Sequence, residues 1–480
     1  MNEFTDIDRH FARFIARFGG GEAMELAAAR LSQSVRQGHI CLRIAETLAE
    51  SRAVGPPDAV TPLVLDGDRL YLRRYFNDET ALAKALLARA SGGTPVEGQE
   101  AAIERALASP LTILAGGPGT GKTATAAQIL RRMEPLPRVA LAAPTGKAAA
   151  RLEAAFGGLR ASTLHRLLGI RPDGGRPRYH AANPLALDML VVDEVSMAPL
   201  PLLRMLFDAL PPTARVLLLG DPDQLASVDP GSVLADVVDA ASVPGSPLGG
   251  TLAVLRRNYR FDPGSPIARA CEAIREGRSD ALESKPLPKK LDEALREPVL
   301  EGYGPLGQER DPVKALEALE RFRILCAVRQ GPYGVEELNR RAAALLQREA
   351  GTPILITQNA PGLGLFNGDT GILLPDPSEP DGPLWAWFPG ERRIAPAQLP
   401  PYEPAFAMTV HKSQGSEFDR VLLVLPEHDN PVLTRELLYT GLTRARRRAD
   451  LWANPDVLET AVARRTERAS GLRERLTSVF

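Results

Sequence analysis

The sequence of 480 residues has few cysteines and lacks any apolar run long enough to cross a membrane. Its three cysteines, Cys41, Cys271 and Cys326, lie far apart and form no Cys-x-x-Cys pair, so neither a disulfide framework nor a zinc site is indicated. We expect three buried thiols in a reducing cytoplasm. No run reaches the roughly 18 apolar residues of a membrane-spanning helix, and no basic region followed by an apolar one opens the chain. The sequence therefore predicts a cytoplasmic protein with no membrane partner.

The chain also lacks a strong charge of either sign. Its formal net charge is −1, so no global basic field attracts a polyanion, and any nucleic-acid site must be a local groove. Hydrophobic residues make up 44% and charged residues 24% of the sequence, which is ordinary for a soluble globular protein. The length corresponds to about three domains. Function must therefore be sought in local motifs.

The clearest motif is a phosphate-binding loop. A strand-like run over 111–114 leads directly into the P-loop pattern G-x-x-x-x-G-K-T, and a helix is expected over 124–133. Backbone N–H groups and the helix N-terminus would surround phosphate oxygens, Lys122 would reach the β- and γ-phosphates, and Thr123 would ligate Mg²⁺. The alternative is a chance glycine-rich turn, but strand, glycines, Lys-Thr and helix together favour an ATP site. Its residues are Gly116, Gly117, Pro118, Gly119, Thr120, Gly121, Lys122 and Thr123.

A second polar strand end follows downstream. The apolar run 189–192 ends in Asp193 and Glu194, the Walker B arrangement. Asp193 would hold Mg²⁺, directly or through water, and Glu194 would orient and deprotonate the attacking water. A bare Asp-Glu pair is common on protein surfaces. Its position after an aliphatic strand and downstream of a P-loop favours the catalytic interpretation.

Two glutamines complete the candidate nucleotide site. Gln224 follows the apolar run 215–219 and can sense the γ-phosphate. Gln99 begins a predicted helix ahead of the P-loop and can read the adenine edge with one acceptor and one donor group. A glutamine at a helix start is usually only solvated, and Gln99 gains weight from the P-loop that follows. Because strands alternate with helices, we expect a parallel sheet covered on both faces.

The rest of the chain suggests further domains. Residues 1–92 have helical periodicity, including the amphipathic run Ile40–Ala53, and predict a helical partner-docking domain. Residues 278–312 are polar and proline-rich, and a long surface segment is one interpretation of them. Short strands and Gly-rich turns over 351–403 predict an inserted SH3-like β-barrel. Its Trp385 and Trp387 would stack on bases or, as we favour, pack in the barrel core.

The fold class that follows is α/β, with two RecA-like P-loop NTPase lobes. The first lobe would span residues 93–250, and the second would span 251–350 plus 404–480. Residues 441–480 contain nine arginines, no lysine and five acidic residues, an excess of four positive charges that suits either a solvated helix face or contacts with phosphate. With the nucleotide between the lobes, opening and closing during hydrolysis would advance single-stranded nucleic acid.

Eight segments together resemble the successive motifs of superfamily-one DNA helicases, in the same order. They read GGPGTGKT, APTGKAAARL, STLHRLL, VVDEVSM, GDPDQLASVDPG, LRRNYR, TVHKSQGSEFD and YTGLTRARRR. More closely, the N-terminal ELAAARLSQSVRQGHICL, the segment GLGLFNGDTGI and the tail are similar to the RecD family, the alpha subunits of exodeoxyribonuclease V, or RecBCD. The resemblance covers nearly the whole chain.

The resemblance implies roles in ATP hydrolysis. Gln99 would contact adenine, and residues 116–123 would hold the phosphates. Asp193 and Glu194 would serve Mg²⁺ and water activation, and Gln224 would couple nucleotide state to movement. The implied cofactors are therefore ATP and Mg²⁺.

It also implies roles in the second half of the chain. Arg260 and Arg444 would be the two arginines that reach the γ-phosphate. The residues in segments that border DNA or couple it to ATP are Thr145, His165, Thr409, His411 and Gln414. The segment between Arg260 and Phe322 is short and irregular, which leaves the size of the second lobe open.

For the whole protein, the resemblance implies a 5′-to-3′ DNA helicase that processes double-strand DNA ends for recombinational repair. It would act on single-stranded DNA and on duplex ends, beside the partner subunits RecB and RecC. The sequence shows no metal-nuclease constellation, because Asp376 and Glu379 lie in a proline-rich loop with no lysine after a strand, so we expect the nuclease in a partner. Two alternatives remain, a stand-alone helicase of the same superfamily and a non-motor subunit that only grips DNA ends.

Overall fold

The computed structural model describes residues 4–45, 51–133, 138–171 and 175–477. The chain forms two compact units. The first comprises Met1–Pro222, Ala226–Arg257 and Glu467–Phe480, and the second comprises Asp223–Leu225 and Asn258–Thr466. Each unit contains a parallel sheet flanked by helices, which confirms the predicted α/β class. Among the described residues, no helix is both long and apolar enough to cross a membrane.

The first unit begins with three helices and a small sheet. Its elements are α1 (Asp6–Ala16), α2 (Gly21–Arg36), β1 (Cys41–Arg43), β2 (Val54–Gly55), β3 (Leu63–Asp66), β4 (Arg69–Leu72) and α3 (Arg73–Leu87). The sheet order is β1-β4-β3-β2. The helix predicted over Ile40–Ala53 is wrong where the structure describes it, because Cys41–Arg43 pairs antiparallel with β4 and buries Cys41 against it. This long-range pairing overrides the local helical pattern, and residues 46–50 lie outside the described ranges.

A seven-stranded parallel sheet forms the centre of the first unit. Its elements are β5 (Val96–Glu97), α4 (Gln99–Ala108), β6 (Leu111–Gly116), α5 (Lys122–Arg131), β7 (Val139–Ala143), α6 (Gly146–Ala155), β8 (Ala161–Thr163), α7 (Leu164–Leu168), β9 (Met189–Val192), α8 (Leu200–Asp208), β10 (Arg215–Gly220), α9 (Val233–Ser242) and β11 (Leu252–Leu255). The strand order is β5-β11-β6-β10-β9-β7-β8. Every residue of β6 and β9 is buried, since both faces of the sheet are covered.

The parallel register places the predicted motifs at one edge of this sheet. β10 lies between β6 and β9 and pairs in parallel with both. β7 pairs in parallel with β9 on its other side. Because ligands of such sheets bind outside the carboxyl ends of the strands, the loops after β6, β7, β9 and β10 share the edge where a ligand is expected.

The second unit has its own parallel sheet and an inserted antiparallel one. Its elements are α10 (Pro266–Glu276), α11 (Leu291–Tyr303), α12 (Pro312–Ala318), β12 (Phe322–Cys326), α13 (Val335–Leu346), β13 (Thr352–Ile356), β14 (Thr370–Asp376), β15 (Glu379–Phe388), β16 (Arg392–Ile394), β17 (Tyr402–Pro404), β18 (Ala407–Thr409), β19 (Phe418–Val424), α14 (Arg435–Leu442), β20 (Ala445–Trp452) and α15 (Pro455–Ala463). The parallel sheet has the order β18-β12-β19-β20.

The inserted sheet has the order β16-β15-β14-β13-β17, and all its pairings are antiparallel. Closure of this sheet into a barrel stays a prediction. Trp387 is buried and donates a hydrogen bond from Nε1 to the Leu374 carbonyl at 3.1 Å. Trp385 packs against the same apolar cluster. The two tryptophans therefore pack in the apolar cluster that also contains residues of α11 and β12, and their place in the core of a barrel stays a prediction.

The interpretation of residues 278–312 as a long surface segment is wrong over residues 291–303, which form α11. Leu291, Leu295, Val299 and Tyr303 recur every fourth residue along α11 and are buried in the core of the second unit. The Tyr303 hydroxyl donates a hydrogen bond to the Phe406 carbonyl. Polar residues and Pro298 between these positions hid an amphipathic helix, because a proline inside a pattern argues against a helix.

The last described residues, 467–477, return to the first unit and end in α16 (Leu472–Thr477). There they surround the carboxylate of Glu79, which is fully buried. Its donors, at 2.9–3.2 Å, are Tyr71 Oη, Ser470 Oγ, Gly471 N and Arg475 Nε. Because a buried carboxylate needs such partners, the tail is an integral part of the first unit.

Candidate functional site

The P-loop joins β6 to α5 in a tight turn. Gly119 and Gly121 have φ angles of 80° and 84°, a region that favours glycine. The Lys122 ammonium donates to the carbonyls of Gly116 at 2.7 Å and Gly117 at 3.0 Å. The Thr120 hydroxyl donates to the Gly117 carbonyl at 2.8 Å. These contacts hold the lysine side chain over the loop, with Pro118 at the turn between them.

The N-terminus of the helix after the loop also faces the loop. α5 begins at Lys122 with Gly121 as its N-cap, so the backbone N–H groups of its first turn point toward the loop. A Cβ at Gly116 would lie 2.7 Å from both the Leu255 carbonyl and the Thr120 hydroxyl, so only glycine fits there. Backbone donors and the helix dipole together suit an anion such as a phosphate.

The Walker B carboxylates lie beside this turn. The Thr123 hydroxyl donates to Asp193 Oδ2 at 3.2 Å, and the Glu194 backbone N–H donates to Asp193 Oδ1 at 2.8 Å. Glu194 has φ 53° and ψ 41°, a left-handed conformation that is uncommon for a residue with a side chain. Such conformations persist where the surroundings enforce them and cluster at functional sites.

Burial raises the pKa of the Asp193 carboxyl, and the neighbouring Glu194 carboxylate raises it further. The Lys122 ammonium, the Glu194 N–H and the Thr123 hydroxyl lower the same pKa. An additional cation beside Asp193 would relieve the repulsion between the two carboxylates. The site is thus electrostatically suited to bind positive charge next to Lys122.

The donor set fits Mg²⁺. A threonine hydroxyl and an aspartate carboxylate are hard oxygen ligands, and their oxygens lie 3.2 Å apart at the N-terminus of α5. Magnesium usually takes one or two protein oxygens and completes its shell with water and substrate phosphates. Thr123 and Asp193 are therefore suited to hold it beside a bound triphosphate.

Three further predicted residues lie in the first unit. Gln99 is the first residue of α4, which packs against α5, and an ion pair of 2.5 Å joins Glu100 of α4 to Arg132. Thr145 follows β7 and caps α6, accepting from the Ala148 N–H at 3.3 Å. His165 lies on α7 with an exposed side chain. Thr145 thus lies after a strand end of the ligand-binding edge.

Gln224 belongs to the second unit in the structure. It is buried, and both backbone polar groups of its neighbour Leu225 are hydrogen-bonded. The Leu225 N–H donates to Thr440 Oγ1 at 2.9 Å, and the Leu225 carbonyl accepts from Gln414 Nε2 at 3.1 Å. Gln414 thus hydrogen-bonds to the backbone of Leu225, the residue that directly follows Gln224. The structure therefore brings Gln224 and Gln414, two residues predicted to couple DNA and nucleotide, close together.

The two predicted γ-phosphate arginines have different surroundings. Arg260 forms an ion pair of 2.7 Å with Glu417, which Arg446 also approaches at 3.4 Å. Arg444 is buried and donates to the carbonyls of Thr440 at 3.2 Å and Ser416 at 3.3 Å. Both guanidinium groups are thus held by named partners within the second unit.

The remaining motif residues lie at the end of β18. The Thr409 hydroxyl accepts from the Lys412 N–H at 3.2 Å, and His411 begins the short 3₁₀ turn that follows. Lys412 Nζ donates to Asn367 Oδ1 at 2.5 Å, which connects this turn to the loop between β13 and β14. Thr409, His411 and Gln414 are therefore gathered at one strand end.

Sequence reasoning missed three residues that make contacts within the predicted motif segments. Thr440 anchors Leu225, Glu417 holds Arg260, and Lys412 links to Asn367. Glu417 and Lys412 lie inside the motif TVHKSQGSEFD, and Thr440 lies inside YTGLTRARRR. Their positions inside these motifs could have marked them as candidates. Their contacts could not be predicted, because the partners lie 45 to 215 positions away along the chain.

Three family models match the sequence. Residues 1–50 match the N-terminal domain of the RecBCD enzyme subunit RecD. Residues 99–230 match an AAA domain, and residues 404–451 match the UvrD-like helicase C-terminal domain. The matches thus place a nucleotide-binding domain over the P-loop and a helicase domain over Thr409 to Arg444.

Similar proteins point to the same family. The chain is 38% identical to the RecBCD enzyme subunit RecD of Mycolicibacterium smegmatis, over 95% of this chain and 94% of that protein. It is 38% identical to the same subunit of Mycobacterium tuberculosis, over 98% of this chain and 94% of that protein. The ATP-dependent RecD2 DNA helicase of Deinococcus radiodurans is 35% identical, over 83% of this chain and 54% of that protein. The predicted resemblance is confirmed, and the chain belongs to the RecD family of RecBCD enzyme subunits.

Proposed function

We propose that the chain is an ATP-dependent DNA helicase with 5′-to-3′ polarity, working as the RecD subunit of a cytoplasmic RecBCD complex that processes double-strand DNA ends. The observation that carries the proposal is the contact between the P-loop and the Walker B carboxylate, 3.2 Å from Thr123 Oγ1 to Asp193 Oδ2. In a protein of the RecD family, this contact supports a working ATPase. A subunit that only grips DNA ends would not need it.

In this proposal, the first unit binds and activates ATP. Lys122 would exchange its two carbonyl partners for β- and γ-phosphate oxygens, and Gln99 would contact adenine. Thr123 and Asp193 would hold Mg²⁺, whose charge offsets that of the phosphates. Glu194 would orient the attacking water and accept its proton at a carboxylate oxygen.

The second unit would complete catalysis and connect it to DNA. Arg260 and Arg444 would supply positive charge to the γ-phosphate, and Gln224 would couple nucleotide state to movement. Single-stranded DNA would be bordered by the remaining motif residues. These are Thr145, His165, Thr409, His411 and Gln414.

The partners in this proposal are RecB and RecC. Residues 1–92 would dock on a partner, and exposed apolar side chains on α1 and α2 support this. Ile7, Phe14 and Leu26 are 64%, 52% and 40% exposed. Apolar residues left in water on adjacent helices are a common feature of protein interfaces. The nuclease activity of the complex would belong to a partner.

A stand-alone helicase is the second candidate, favoured by the similarity to the RecD2 DNA helicase of Deinococcus radiodurans. The chain spans 54% of that protein but 94% of the RecD subunit from Mycolicibacterium smegmatis. This difference supports the subunit role. Full processivity of the purified monomer would favour the stand-alone role instead.

Strand polarity tests the helicase proposal. The purified chain, alone and with RecB and RecC, would be given duplexes that carry a single-stranded tail at either the 5′ or the 3′ end. To isolate this motor, the complex would contain a RecB variant unable to hydrolyse ATP. We expect ATP-dependent unwinding from the 5′ tail and background strand release from the 3′ tail. Equal unwinding from both tails, or preference for the 3′ tail, would contradict the proposed polarity.

The proposed metal ligand gives a separate prediction. Asp193→Asn removes a charged oxygen ligand, so we expect hydrolysis to fall by at least about 10–100-fold, the range seen when even an outer partner of a metal ligand is lost. The Mg²⁺ concentration needed for tight binding of an ATP analogue should rise. Asp188→Asn is the matched control, because Asp188 lies before the other end of β9 and pairs with Arg138 at 2.8 Å. Equal effects of the two substitutions would contradict the assignment.

A further inference from the structure

The chain crosses between the two units at several points, and the residues just beyond two of these crossings contact each other. One follows Leu225, where the chain leaves the second unit for the first. The other lies between Thr466 and Glu467. Thr466 is held in the second unit, where its N–H and hydroxyl donate to the Glu436 carboxylate at 2.9 and 2.7 Å. The residues just beyond each crossing, from Ala226 and from Glu467 onward, both lie in the first unit.

Arg468 connects these two stretches inside the first unit. Its guanidinium donates to the carbonyls of Gly38 at 2.9 Å, Ser227 at 3.0 Å and Asp229 at 3.3 Å. The fit around Gly38 is close, because φ is +92° there and a Cβ would overlap the guanidinium. A planar guanidinium can serve three carbonyls at once, which a lysine ammonium reproduces poorly. Arg468 therefore fixes the stretch 227–229 with a geometry specific to arginine.

The other end of the same loop is fixed in the second unit. Leu225 lies two residues before Ser227 and is held at its N–H by Thr440 and at its carbonyl by Gln414. Both of these side chains are buried. Gln224 is the next residue toward the N-terminus. Any displacement of Leu225 must therefore be absorbed at Ala226, the one residue between Leu225 and Ser227.

We propose that Arg468 is a positioning residue for Gln224. By holding Ser227 and Asp229 in place, it confines the backbone change that accompanies movement of Leu225 to Ala226, two residues from Gln224, where DNA state and nucleotide state would be coupled. Without Arg468, the same displacement would spread into residues 227–231. This inference rests on the proposed motor function and assigns the C-terminal tail a part in it.

The tail offers variants that separate this role from simple stability. It keeps other contacts to the first unit without the Arg468 side chain, since the Ala469 N–H donates to His39 Nδ1 at 2.8 Å and its carbonyl accepts from the Ile40 N–H at 2.8 Å. Ser470→Ala removes a tail contact to Glu79 and leaves the loop untouched. Arg473→Gln removes the same charge from an exposed position of α16.

The test compares Arg468→Gln with these two controls in the full-length chain. ATP hydrolysis is measured with and without single-stranded DNA, together with the affinity for a non-hydrolysable ATP analogue and the thermal unfolding midpoint. For Arg468→Gln, we expect DNA stimulation to fall by at least about fivefold, the lower end of usual coupling between sites. Basal hydrolysis, KM for ATP and analogue affinity should stay within about twofold, and Arg468→Lys should restore stimulation only in part.

A double substitution shows whether Arg468 acts through Gln224. If Arg468 acts through Gln224, Arg468→Gln should cause no further loss of stimulation in a Gln224→Ala background, because coupled residues are not additive. Normal stimulation in Arg468→Gln, or a loss matched by Ser470→Ala at equal loss of stability, would overturn the positioning role alone. A wild-type chain whose hydrolysis does not respond to DNA would instead contradict the proposed motor function, and the positioning role with it.

Discussion

Replacing Lys122 with glutamine is expected to lower ATP turnover by about 10²–10³-fold or more, the usual loss when a positioned donor to developing negative charge is removed. The ammonium lies 2.7 and 3.0 Å from two carbonyls of the loop, so it is already held where phosphate oxygens would replace those carbonyls. A neutral amide of similar length keeps some hydrogen bonding and loses the charge. Turnover should fall far more than nucleotide binding.

The fold of this variant should remain intact. Lys122 is only half-buried, and the glutamine amide can still donate to a loop carbonyl, so the substitution removes the charge without leaving the loop carbonyls fully unpaired. Lys84→Gln is the matched control, because Lys84 is exposed on α3 and lies outside the predicted motifs. Turnover by Lys122→Gln close to that of Lys84→Gln, with the same unfolding midpoint, would rule out the P-loop assignment.

Replacing Arg444 with alanine should preserve nucleotide binding and lower hydrolysis by about 10³–10⁵-fold, the usual contribution of an arginine to the γ-phosphate in phosphoryl transfer. Because Arg444 is buried and donates to the carbonyls of Thr440 and Ser416, alanine would also remove these two buried hydrogen bonds and lower stability. Arg444→Lys is therefore needed beside it. Lysine keeps the positive charge in the core but lacks the planar fork, so it should regain stability and little activity.

The control for Arg444 is another arginine of the same segment. Arg447→Ala removes a nearby arginine that is exposed on β20, and it should leave hydrolysis unchanged. Binding of an ATP analogue and single-turnover hydrolysis would be measured for all three variants. Lost binding with a normal rate of residual hydrolysis would mean that the γ-phosphate arginine is another residue.

The sequence predicted the first unit's motif edge well because its signals are local. Each of these motifs is a continuous segment of about ten residues or fewer. They are the P-loop glycines, the aliphatic run of β9 and the turn after β10. Each motif also lies at the carboxyl end of a parallel strand, where topology brings them together without further information. The contact between Thr123 and Asp193 follows from that arrangement, although these residues are 70 positions apart.

The parts that sequence reasoning missed depend on distant residues. Cys41–Arg43 forms a strand only because β4 lies beside it, and α11 packs in the core despite Pro298. The return of the tail to Glu79 joins residues nearly 400 positions apart. Hydrophobic periodicity reports on one element at a time, so it cannot reveal such pairings.

The second unit was only partly predictable from the sequence. Arg260, Gln414 and Arg444 were identified from the resemblance to helicase motifs, but the partners that hold them were not. The pairing of Arg260 with Glu417 spans 157 positions, and the contact from Gln414 to Leu225 spans 189. Both need the folded unit, and their roles in catalysis and coupling remain predictions.

The most direct test of the motor proposal is ATP hydrolysis by the purified full-length chain, with and without single-stranded DNA. We predict a low rate alone, a large increase with DNA, and saturation at a DNA concentration that reflects binding. Nucleotide bound with normal affinity but hydrolysed at a rate that DNA does not change, both alone and in the complex with RecC and ATPase-deficient RecB, would contradict the account. The protein would then be a nucleotide-binding clamp on DNA ends rather than a motor.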